Sequence, residues 1–134
     1  MKVIACVDNQ LGLMFHNRRQ SQDRIVREKI KEITDELYMN EYSYQLYKDI
    51  FPSAHIQSSC KDGYYLVENI SVKAFEKDID EVILFYWNRD YPADFYLDID
   101  LSLYSCIDEM DFVGHSHEKI TLKRFKRLND EEEK

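Results

Sequence analysis

An α/β fold built on a single mixed central sheet with flanking helices is what this sequence predicts, and three observations carry the prediction. Two short unbroken apolar runs, VIACV at 3–7 and VILF at 82–85, have the pattern of strands buried on both faces. Between them Ile25, Val26, Ile30, Ile33 and Leu37 recur at helical spacing with charges elsewhere, the pattern of a helix laid on a sheet. After them come two closely spaced extended segments, 103–113 and 120–128, separated by Gly114 and read as antiparallel strands.

Taken in order, the first strand is broken by Asp8, Asn9 and Gly12. The loop that follows is unusually apolar at Leu11, Leu13, Met14 and Phe15, so it is expected to lie on the body of the protein. Its far end, His16, Asn17, Arg18 and Arg19, is polar and basic. Ser21 is expected to cap the helix, and Asp23 suits the positive end of the helix dipole. Arg18, Arg19, Arg24 and Arg27 beside Asp23 form either an anion site at the helix start or a solvated face with local ion pairs. A short second helix, with Ser43 as its cap, is expected before Pro52. Strands at 55–58 and 64–67 are read as joined through the Asp62-Gly63 turn, and Ser71 as the cap of a short helix over 72–77. The strand at 81–87 leads to a polar turn, Asn88 to Asp90, followed by Tyr91-Pro92. In the last strand Ile120, Leu122 and Phe125 alternate imperfectly with Lys and Arg, which predicts an edge strand with a bulge at the phase change.

The 134-residue chain is long enough to bury about two thirds of its unfolded surface. Only three Gly and two Pro leave little room for linkers, so residues 1–128 are read as one domain and 129–134 as an acidic C-terminal tail. A net charge of −8 argues against the broad basic face that holds duplex nucleic acid. No apolar run approaches the roughly 20 residues that cross a bilayer, and too few follow Lys2 for a secretory leader. A cytoplasmic protein with no membrane partner is therefore expected. Cys6, Cys60 and Cys106 form no Cys-x-x-Cys pair and are read as reduced, partly buried thiols.

With its elements in this order the chain resembles dihydrofolate reductase in a shortened form. VIACVDNQLGLMF is similar to that family's first strand and mobile loop, and SQDRIVREKI to the helix behind its active site. MNEYSYQLY is similar to the strand-to-helix phosphate-binding segment, and FPSAHIQ to the strand after it. EVILFYWNRDYPADFYLDIDLSLYSCIDEMDF is similar to the closing strands. The resemblance implies that Asp23 stands where the family carries the acid that contacts the pterin ring. The chain departs from the family at the cofactor. Glu41-Tyr42-Ser43 stands in place of an Arg/Lys-Thr pair, and its carboxylate repels phosphate. No two glycines are adjacent, and FPSAHIQ lacks the arginine that clamps a folate carboxylate. No cofactor is therefore expected on this reductase-like scaffold.

Small uncharacterised bacterial proteins that resemble this opening, including NRRQSQDR, are sometimes labelled ribonuclease Z. The family of that name carries a His-x-His-x-Asp-His metal motif, to which His115-Ser116-His117 is the nearest approach. On a strand the two imidazoles share a face and supply half of a zinc site. Hydrogen-bonded structure near a glycine turn is the alternative, and no metal is expected. The pairs Asp78/Asp80 and Asp98/Asp100 are read as solvated carboxylates.

Three functional readings follow. The favoured one is a non-catalytic domain that binds a small anionic ligand or a protein partner in a shallow pocket. That pocket is expected between the loop bearing Asn17, Arg18 and Arg19, the helix with Asp23 and Arg27, and the turn with Trp87, Asn88 and Arg89, with Asp8 at its base. The alternatives are a pterin or nucleotide reductase using Asp23 as acid, and a metal-dependent nuclease using His115 and His117.

Overall fold

The computed structural model describes residues 1–128, so the acidic tail assigned to 129–134 lies outside the described residues. The chain is built around β1 (Lys2–Val7), which runs parallel to β6 (Tyr64–Leu66) on one side and to β7 (Glu81–Tyr86) on the other. Next to β6 lie β4 (Leu37–Met39) and then β5 (His55–Ile56), both parallel. Beyond β7 the direction reverses, with β10 (Ile120–Arg127) antiparallel to β7 and β9 (Tyr104–Phe112) antiparallel to β10. The result is a seven-stranded mixed sheet in the order β5-β4-β6-β1-β7-β10-β9.

Alternation along β1 and β7 divides the core in two. Val3, Ala5, Val7, Val82 and Leu84 face one side, and Ile4, Ile83 and Phe85 face the other. Helix α1 (Arg24–Ile33) covers the second side with Val26 and Ile30, beside Tyr47 of α2 (Glu41–Tyr47). The first side is covered by Leu13 and Met14, together with Val72, Leu97 and Ile99.

Several elements differ from the sequence expectation. The apolar loop at 11–15 is largely a strand, β2 (Gly12–Phe15), which pairs with β3 (Arg18–Arg19) and β8 (Phe95–Tyr96) in a second small sheet. His16 and Asn17 turn between β2 and β3 with φ of 50° and 62°, and positive φ at both turn residues suits the twist of a tight hairpin. The cap of α1 is Asp23, in extended backbone with its carboxylate accepting from the Ile25 amide, and not Ser21. Leu37 leaves the helix, which stops at Thr34, and is buried in β4. Asn40 caps α2 by accepting from the Ser43 amide, while Ser43 itself is buried inside the helix.

Asp62-Gly63 does not join a hairpin, because β4 is inserted between β5 and β6; Gly63, at φ 104°, turns the chain into a parallel strand. The short helix after Ser71 is a pair of 3₁₀ turns over Lys73–Asp78, with the Ser71 hydroxyl accepting from the Lys73 amide. The final strand is internal. Its Arg124 is taken up by the half-buried Glu81 of β7 at 2.8 Å, and the expected bulge falls between Arg124 and Phe125. The edges of the sheet are β5 and β9, and β9 is exposed on both faces from residue 105 to 111. Cys106 is exposed there, while Cys6 and Cys60 are half-buried, and all three are free. No helix among the described residues is long and apolar enough to cross a membrane.

Leu84 sits fully buried where both halves of the sheet meet. Leu84→Ala is expected to lower the unfolding free energy by about 3 kcal/mol, read as a shift in the urea midpoint with little change in slope.

Candidate functional site

The loop between β9 and β10 folds back onto the start of α1, and the Asp23 carboxylate is the point of contact. It accepts from the Ile25 amide at 2.9 Å within its own helix. From the loop it accepts from the amides of His115 and Ser116, each at 2.9 Å, and from His117 Nδ1 at 2.7 Å. The Ser116 hydroxyl stands 3.3 Å away. Burial works to raise the Asp23 pKa, but the amides of His115 and Ser116, then His117 and the Ile25 amide, outweigh it and hold the carboxyl well below the usual range. Gly114 makes this approach possible, since a Cβ there would stand 2.6 Å from Asp23 Oδ2 and 2.8 Å from Ile120 Cδ1.

His117 is the second centre. A carboxylate only accepts, so the ring proton sits on Nδ1, and in the neutral imidazole Nε2 accepts from the Ser21 hydroxyl 2.8 Å away. The ring stacks on Trp87 with centroids 4.6 Å apart, which fills the space between Asp23 and Trp87. Asp8 serves a separate turn, accepting from the amides of Gln10 and Gly12 and from Gln20 Nε2.

The expected single pocket is therefore two. Gln20 Nε2 reaches both Asp8, at 2.9 Å, and the Pro92 carbonyl, at 3.3 Å, so it ties the two loops that were to flank a common opening. One cleft, of about 680 Å³, is lined by Met14, Asn17, Tyr42, Asn69, Asp94 and Phe95. The other, of about 330 Å³, is lined by Trp87, Asn88, Arg89, His117, Glu118 and Lys119. Asn88, at φ 60°, donates to the Lys119 carbonyl and to Thr121 Oγ1, which fixes the floor of the smaller one.

The arginines of the first loop are largely spoken for. Arg19 makes a two-pronged ion pair with Glu68, at 2.9 and 3.0 Å, and lies over the Tyr42 ring. Arg27 donates to Gln22 at 2.6 Å. Arg18 and Arg24 are exposed. His115 and His117 lie in the β9–β10 loop, not on a strand face, because β9 ends at Phe112. Among the described residues no group of three or more His, Cys, Asp or Glu is placed to hold a metal ion. Asp98 and Asp100 cap local turns, at Val72 and Ser102. Burial pushes the Cys6 thiol up to about 12, which removes it as a nucleophile at neutral pH.

Two groupings escaped the sequence reading. Ser21 and His117 meet across 96 positions, and Asn69 and Asp94 come together in the wall of the larger cleft. Neither carries a spacing signal that brings it to its partners.

Among solved structures, a dihydrofolate reductase from Enterococcus faecalis complexed with NADP(H) and RAB-propyl superposes with a TM-score of 0.69. The match covers 96% of this chain and 97% of that chain at 12% sequence identity. At that identity the likeness is one of fold, and this chain has a dihydrofolate-reductase-like mixed α/β fold, a reductase-like scaffold. No protein-family model matches the chain, and no curated protein does.

Asp23 has a folded pKa below its unfolded value of about 3.9, so its contribution is complete at neutral pH and is lost as pH falls through the folded value. Asp23→Asn is expected to cost roughly 2 to 3 kcal/mol at pH 7. The gap in Tm between the two proteins should narrow progressively once the pH is taken below about 4, as thermal unfolding in a pH series would record.

Proposed function

We propose that this chain uses its reductase-like scaffold to hold a ligand rather than to reduce one, with the ligand in the larger cleft. The supporting observation is the state of Asp23. The residue to which the resemblance assigns the proton is ionised, buried and engaged by the Ile25, His115 and Ser116 amides and by His117. A general acid needs a proton to give and a path to the substrate, and this carboxylate offers neither. The cleft walls favour binding. Met14 and Phe95 supply apolar surface and Tyr42 a ring face, while Asn17, Asn69 and Asp94 supply polar groups. Asn69 accepts from Asn40 through Oδ1, which leaves its NH₂ group for a ligand acceptor.

Charge narrows the ligand class. Arg19 is neutralised by Glu68, Asp94 lines the cleft, and Glu41 opens α2 in the adjoining segment. That setting disfavours phosphate and a small anion, and suits a planar, neutral heterocycle with N–H groups for Asp94 and a carbonyl or ring nitrogen for Asn69. A protein partner has an observation of its own in β9, whose unpaired edge carries the exposed Ile107 and Met110. The ribonuclease Z reading has none, since His117 is committed to Asp23 and Ser21.

Purified protein mixed with a cell metabolite extract and analysed by native mass spectrometry is expected to retain a small heterocycle, with Asn69→Ala weakening retention by roughly tenfold. Millimolar NADPH should leave Tm unmoved, and dihydrofolate reduction at any rate that requires Asp23 would sink the reading.

A further inference from the structure

We propose that Ser21, His117 and Asp23 form a nucleophile, base and orienting carboxylate capable of ester hydrolysis. This goes beyond the binding cleft and is independent of it.

The geometry has the nucleophile, base and orienting carboxylate of acyl transfer. Ser21 Oγ lies 2.8 Å from His117 Nε2, within direct proton-transfer reach, and His117 Nδ1 lies 2.7 Å from Asp23 Oδ2. Exposure falls along the array, from half-exposed Ser21 to buried His117 and to an Asp23 side chain with no exposure. The residue that carries the reacting oxygen is thus nearest solvent and the orienting charge is furthest from it. Asp23 is ionised and fixed by the backbone amides of His115 and Ser116, so it sets one ring tautomer, with Nε2 facing the hydroxyl. Trp87 holds the ring plane from the side.

Capping the helix and holding the loop account for Asp23, and among the described residues they leave the Ser21 hydroxyl facing only His117 Nε2. The helix is capped by Asp23, and the loop is held by the His115 and Ser116 amides, so neither task uses the Ser21 hydroxyl. Next to His117 lies the smaller cleft, with Arg89 and Lys119 against the single carboxylate of Glu118. Lys119 also pairs with Asp111 at 3.4 Å, whereas Arg89 has no carboxylate partner among the described residues. This favours an ester that carries an anionic group.

The step balances without a cofactor. The Ser21 proton passes to His117 Nε2 as Oγ bonds the ester carbonyl carbon. The bond from that carbon to the alcohol oxygen then breaks, and His117 returns the proton to the departing alkoxide. Water repeats the sequence on the acyl-serine, releasing a carboxylic acid and restoring Ser21.

Diisopropyl fluorophosphate on the full chain tests the nucleophile. The expected result is one adduct, mapped to Ser21 by peptide mass spectrometry, absent in Ser21→Ala and formed at least roughly a hundredfold more slowly in His117→Gln. Hydrolysis of p-nitrophenyl succinate is expected to exceed that of p-nitrophenyl acetate, and Arg89→Gln to reduce that preference by roughly tenfold. Asp23 acts as a positioning residue, so Asp23→Asn should lower kcat at nearly unchanged KM. No adduct on the folded wild-type chain, an adduct on another residue, ester hydrolysis that survives in Ser21→Ala, or an effect of Asp23→Asn on KM alone would overturn the proposal. Retention of a heterocycle in the larger cleft is unaffected by any of these results, so the two proposals fail separately.

Discussion

The arrangement of this protein turns on one buried carboxylate. Asp23 begins α1 and at the same time receives the β9–β10 loop, so a single side chain joins the helix that covers one face of the sheet to the two strands added at its end. A buried charge is costly unless its lone pairs are met, and here backbone amides and an imidazole meet them. The cost of that burial is offset only when helix, loop and His117 are all in place, which couples their formation. Gly114 is part of the same constraint, because no side chain fits between the carboxylate and Ile120.

That constraint also shapes the polar arrangement on this scaffold. The carboxylate at the helix start is drawn toward the loop and away from open space, and His117 with Trp87 occupies the volume beside it. Of the two clefts, only the smaller one touches this plug. The larger cleft is bordered by the hairpin, α2 and β8, with Arg19 and Glu68 cancelling each other at its margin. The smaller one sits over the Asn88 turn and keeps a positive side chain at Arg89.

Much of the fold was legible because burial leaves periodic marks. The apolar runs of β1 and β7 reported strands covered on both faces, and the phase slip in the last strand reported its bulge. What failed were inferences from local chemistry with more than one use. Ser21 and Asp23 are both good caps, and only the loop 92 positions away decides between them. Asp62-Gly63 suits any sharp turn, so it does not reveal that β4 separates the strands on either side. The Lys and Arg of the last strand suggested an edge, yet Glu109 and Glu81 on adjacent strands receive Lys123 and Arg124 of an internal strand. The sites were less legible than the fold, since each joins residues from distant segments and no spacing rule connects Ser21 to His117 or Asn17 to Asn69.

The outermost strand has a consequence for how the molecule meets its own kind. Asp108, Glu109 and Asp111 stand along β9, which among the described residues is a long border without a further strand hydrogen-bonded to it. Two copies that approached border to border would bring charged side chains together, Asp108 beside the Glu109–Lys123 and Asp111–Lys119 pairs, and the cost of stripping water from them opposes the ladder that bare backbone invites.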